Sequence, residues 1–76
     1  GATTAITTKT GTTIARTATD GATVNVYVNG KLVATVKAEG GNYSATLNDA
    51  LVAGDAIHVV ARKEGQVSSS ADATAA

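Results

Sequence analysis

Between Thr23 and Val28 the chain alternates without a break: Val24, Val26 and Val28 point one way, Thr23, Asn25 and Tyr27 the other. A period of two is the signature of a strand with one buried face, and no helix can sort those residues onto a single side. The run stops at Asn29-Gly30. That dipeptide suits the centre of a type I′ turn, because both residues accept positive φ. An apolar-rich run resumes at once, Lys31-Leu32-Val33-Ala34-Thr35-Val36-Lys37. Residues 22–38 therefore read as a β-hairpin, and the rest of the chain must fold around it.

The flanking segments repeat the pattern. Glu39-Gly40-Gly41-Asn42 reads as a turn, and Tyr43, Ala45 and Leu47 then alternate with Ser44 and Thr46 as a further strand. Residues 48–55 form a longer connection, in which Leu51 is placed to plug the end of the fold and Gly54-Asp55 to turn the chain. One turn of helix is conceivable only between Asp49 and Ala53. Ile57, Val59 and Ala61 then share one face, with His58, Val60 and Arg62 on the other. Lys63-Glu64-Gly65-Gln66 turns again, and Val67 to Ala73 reads as a weak last strand of small residues. From Asp72 onward the small residues are expected to fray as a tail or to begin a linker. Before the hairpin, strands are expected over Thr3 to Lys9 around Ile6 and over Thr12 to Thr19 around Ile14. Turns at Lys9-Thr10-Gly11 and Asp20-Gly21 separate them. Turn signals every 8–12 residues or so are the spacing of a sandwich.

Composition limits what can hold such strands together. The 76 residues include no Cys, Phe, Trp, Met or Pro, and only two Tyr. One small domain is all this length allows, with about 60% of its unfolded surface buried. No disulfide can reinforce it, so the core must be Val, Ile, Leu and Ala under a Thr-rich exterior. Six basic residues balance six acidic ones with neither sign clustered. That argues against nucleic acid as a partner, since phosphate neutralisation needs a basic stripe. No apolar run approaches the roughly 20 residues of a spanning helix, so membrane insertion is not expected.

Two stretches resemble bacterial Ig-like domains. The first is Thr17-Ala18-Thr19-Asp20-Gly21-Ala22-Thr23-Val24-Asn25-Val26-Tyr27-Val28-Asn29-Gly30; the second is Gly41-Asn42-Tyr43-Ser44-Ala45-Thr46-Leu47 with Leu51-Val52-Ala53-Gly54-Asp55-Ala56-Ile57. The resemblance spans roughly residues 11–70. Where such domains often carry Pro before the Gly-Ala, this chain has Asp20. The resemblance implies an all-β, immunoglobulin-like sandwich of about seven antiparallel strands, with residues 1–76 as a single domain. It also implies a non-catalytic structural or adhesive role at a bacterial cell surface or in a phage virion. The implied partners are other surface or virion protein modules; the alternative reading is an accessory carbohydrate- or protein-binding module attached to a larger enzyme or virion protein, with a surface glycan as partner. Domains of this kind share no catalytic set, and turn-and-strand motifs speak to fold more than to function.

The residues themselves suggest little chemistry. His58 sits between Ile57 and Val59, so its alternation puts it on the outer face; a base needs a nucleophile and a metal ligand needs company. No motif context joins Ser44 or the Ser68-Ser69-Ser70 run to it. Asp20, Asp49, Asp55 and Asp72 are read as turn or tail residues, and turn Asp usually bonds nearby backbone. Asp49 and Asp55 are the first pair to inspect for calcium, which takes about six to eight oxygens. The glycines form no phosphate loop. Asn42-Tyr43-Ser44 is a formal glycosylation sequon, and Lys9 with Asn48 is the pair to inspect for an isopeptide bond, though a core without Phe or Trp offers poor shielding. No cofactor and no catalytic residue is expected. Tyr43 is assigned to the core, whereas Tyr27, Asn25 and His58 are the candidate contact surface, since Tyr joins apolar area to a polar tip.

Overall fold

The computed structural model describes Thr4, Ile6 and residues 8–76. It is all-β, and every strand pair is antiparallel. The strands are β1 (Thr8–Thr10), β2 (Thr13–Thr17), β3 (Thr23–Val28), β4 (Lys31–Lys37), β5 (Asn42–Thr46), β6 (Ala56–Arg62) and β7 (Ser69–Thr74). They form two sheets, ordered β1-β2-β5 and β4-β3-β6-β7, an arrangement compatible with a sandwich. β3 and β4 are the hairpin expected around Asn29-Gly30, and both turn residues have positive φ, 51° and 83°. Gly30 has open space where a Cβ would stand, so the glycine answers to backbone conformation and not to crowding.

The period of two becomes a core. Val24 and Val26 from β3, Ile57, Val59 and Ala61 from β6, Ile14 from β2, and Tyr43 and Ala45 from β5 are all buried, with Leu47 just beyond. They belong to one cluster drawn from both sheets. Nearly half of the buried apolar residues are Ala, so seven larger side chains (Ile14, Val24, Val26, Tyr43, Leu47, Ile57 and Val59) supply most of the volume. Each contributes roughly 1.5–3 kcal/mol by leaving water.

The strands run between two poles. At one, Gly21 N donates to Ala38 O (2.9 Å), Gly40 N to the Asp20 carboxylate (2.8 Å), and Lys63 Nζ to Asp20 O (2.7 Å). Thr4 bridges Ala18 at this end. At the other, Leu51 N donates to Gly11 O (2.7 Å) and Leu51 packs against the core, as the plugging role requires.

Several local expectations are corrected. The last strand starts at Ser69, not Val67, which is 78% exposed. The tail does not fray at Asp72: β7 runs to Thr74. Ala75 is buried, donates its N–H to Asp55 O (2.9 Å) and accepts from Gly54 N (3.1 Å). Asp72 is thus a strand residue. Residues 49–53 contain no helix. The second strand is shorter than expected, Thr13–Thr17, and Lys9 and Thr10 belong to β1, so the turn falls on Gly11-Thr12. Of the strand expected over Thr3 to Lys9, Thr3, Ala5 and Thr7 lie outside the described residues, and Thr4 makes a single bridge to Ala18.

Candidate functional site

β-register brings the three candidate contact residues onto one face. Tyr27 on β3 lies directly opposite His58 on β6, and His58 opposite Asp72 on β7. Asn25 is two residues along β3 from Tyr27, hence on the same outer side of the four-stranded sheet. The Tyr27 and His58 rings are 6.0 Å apart between centroids and tilted by 46°. His58 Nδ1 is 2.7 Å from Asp72 Oδ1, and Thr35 Oγ1 donates to Asn25 Oδ1 at 2.9 Å. Tyr27, Asn25 and His58 are half-buried and Asp72 is exposed, so the face is a shallow relief.

Leu32 joins this face for a reason the sequence does not display. Pairing between β3 and β4 slips between Val26 and Tyr27: Val26 faces Ala34, but Tyr27 faces Leu32. Val33 is skipped, a bulge on β4. A slip of one residue exchanges the faces of everything beyond it. Val33 turns toward the core, and Leu32, 50% exposed, sits beside Tyr27. One row across the sheet thus reads Leu32, Tyr27, His58, Asp72.

Among the described residues, the side chain bonded to His58 is that of Asp72, and no hydroxyl is hydrogen-bonded to the His58 ring. Ser70 lies opposite Val60, one row away, and Ser44 is in the other sheet. Both partners are solvent-accessible, with 43% and 76% of their side chains exposed. An exposed polar pair of this sort adds little to stability.

A groove of about 320 Å³ opens at the pole opposite Thr4, between the start of β4 and the 47–55 loop. Val28, Val33, Leu47 and Leu51 form its apolar wall, and Lys31, Asn48, Asp49 and Asp55 lie on its rim. Asp49 and Asp55 both line this groove. Asp55 is already committed: Oδ1 accepts from Asn29 Nδ2 (3.0 Å) and Oδ2 from Val52 N (2.9 Å). Those two bonds, Val52 first, hold its carboxyl below the ordinary 3.8. Asn29 Oδ1 accepts in turn from Ala56 N (2.9 Å), so the hairpin turn is clasped to the start of β6. Among the described residues no group of three or more His, Asp or Glu gathers as metal ligands would.

The other singled-out residues disperse. Tyr43 is buried in the core, and burial pushes its hydroxyl pKa above 10.0. Asn42 is exposed at the start of β5, its side chain donating to Gly40 O at 3.3 Å. The Lys9 side chain falls outside the described residues. Among the described residues no helix is long and apolar enough to cross a membrane. The chain matches no protein-family model, and no curated protein or solved structure shows significant similarity to it.

Proposed function

We propose that this chain is a non-catalytic, immunoglobulin-like structural or adhesive module of a bacterial cell-surface or phage virion protein, acting as a spacer or contact domain. The observation that carries this reading is that the pairing at Thr4 and the pairing at Ala75 lie at opposite poles of the fold. Thr4 lies at one pole and Ala75 at the other, along a long axis of 35 Å. Modules with that geometry join in line without doubling back. Tension between the poles runs along β1 and β7, so the ladders beside them are loaded together in shear and not opened one bond at a time. Strand order supports the Ig-like assignment. On that reading β1, β2 and β5 would correspond to strands A, B and E, and β3, β6 and β7 to C, F and G. β4 sits beside β3, where variable-type domains add C′.

Force spectroscopy tests the spacer reading. Pulling between the two ends is expected to give one force peak and to release about 220 Å of chain, from roughly 3.4 Å per extended residue less the folded span of at most 35 Å. Extension without a resolved peak would sink the mechanical role.

A second reading rests on the outer sheet face. Leu32, Tyr27, His58 and Asn25 present apolar area beside polar tips, the composition of a contact patch for a neighbouring protein or a glycan. Binding on a glycan array that disappears in Tyr27→Ala would favour this reading over a pure spacer.

A further inference from the structure

The two edges of the four-stranded sheet are built differently. β4 carries Lys31 and Lys37 at its ends and a bulge at Val33. Edge lysines and bulges are devices that keep a strand from pairing with a stranger. β7, with sequence Ser-Ser-Ala-Asp-Ala-Thr, has no Lys, Arg or Pro, and its register with β6 is unbroken.

The outward groups of β7 follow from the ladder. Ala75 donates its N–H to Asp55 O and accepts from Gly54 N, so Ala75 turns its main chain toward the β6 side. In an antiparallel ladder every second residue repeats that role. Ala73, Ala71 and Ser69 therefore turn their main chain toward β6, while Ser70, Asp72 and Thr74 turn theirs outward. Among the described residues those outward N–H and C=O groups have no main-chain partner.

We propose that the β7 edge is a strand-docking site whose occupant is β7 of a second copy of this chain, paired antiparallel about Ala71. Only an extended strand matches donors and acceptors at this spacing, and the pattern is complementary to itself. To extend the sheet with the cores on one side, outward residues must face outward residues. A register centred on Asp72 would set two carboxylates against each other, which is destabilising. The register centred on Ala71 sets Ser70 opposite Asp72 of the second copy, and the same again by symmetry. Each serine hydroxyl then donates to a carboxylate, and the main chains exchange about four hydrogen bonds. With six basic and six acidic residues, two copies carry no net repulsion. The inference is independent of the spacer reading, since the edge is the same in a lone chain and in a module.

Sedimentation and amide hydrogen exchange on the full chain, from micromolar to millimolar, test it. The mass is expected to rise from 7.4 kDa to twice that value. The Ser70 and Asp72 amides should slow at least tenfold as it does, while exchange along the outer edge of β4 stays unchanged. Ser70→Pro removes an outward donor in each copy and leaves the β6 ladder intact, so it should weaken association by about tenfold or more. A chain monomeric at millimolar concentration overturns the proposal. So does association that leaves Ser70 and Asp72 exchanging freely, or a folded Ser70→Pro that associates as tightly as the parent. If Ser70→Pro does not fold, the exchange pattern of the parent chain decides alone.

Discussion

Ile14→Ala should be the most damaging truncation in the three-stranded sheet. Ile14 is fully buried and is the only buried residue of β2. Its partner on β5 is Ala45, so the neighbour across the ladder is too small to swing into a vacancy. Losing three carbons from such a site forfeits about 2.4 kcal/mol of transfer free energy at ~0.8 per methylene, and an unfilled cavity adds on the order of 1 more. The total, about 3–4 kcal/mol, compares with roughly 4–11 kcal/mol for a whole domain of this length at 0.05–0.15 per residue. The melting temperature should fall by about 12–30 °C, at 4–8 °C per kcal/mol. Urea unfolding followed by far-UV circular dichroism measures it, and an unchanged m-value would show that the loss lies in the folded state. Val67→Ala is the control: Val67 is 78% exposed, and its loss should stay within about 0.5 kcal/mol. If Ile14→Ala cost less than about 1 kcal/mol, the two sheets would have to be closing over the gap. The argument that an alanine-rich lining cannot refill it would then fail.

Gly30→Ala, at φ 83° in open space, should cost about 1 kcal/mol through backbone strain alone, measurable by the same titration. Asp55 has a depressed folded pKa, so its contribution is complete above 3.8 and is lost as pH falls through the lower folded value. The melting-temperature gap between the parent and Asp55→Asn should therefore be present at neutral pH and close in acid. Tyr43 is the reverse case. Its raised pKa means stability holds below pH 10.0 and declines as pH rises beyond it, a decline Tyr43→Phe should lack in alkaline melting curves.

What could be read in advance was whatever large side chains spell out. Val24 and Val26, Tyr43 and Leu47, and Ile57 and Val59 announce a buried face by alternation, and all are buried. Alanine does not announce itself. Ala71, Ala73 and Ala75 point inward from β7 and its end, yet alanine is as common outside a fold as in, so the strand read as weak and its end from Asp72 onward as a tail. Distant polar contacts were equally silent. Asp20 looked like a local turn residue, but its carboxylate accepts from Gly40 N, twenty positions away. Asp55 does bond locally, to Val52 N, as turn chemistry leads one to expect. At the candidate face, simple alternation placed Tyr27, Asn25 and His58 together. Leu32 and Asp72 were missed because one depends on a bulge and the other on a strand of small residues.

The anchoring of Ala75 beside Asp55 has a consequence for how the protein is made. β6, Ala-Ile-His-Val-Val-Ala-Arg, is an apolar, proline-free segment of high β-propensity. Its flank stays bare until Ser69 to Ala75, which follow it in the chain, fold onto it. A nascent chain stalled before Ser69, or a product clipped there by a protease, would expose that flank to its neighbours. The small residues of β7 thus serve as a cover, and a chain cut before Ser69 is expected to lose soluble yield.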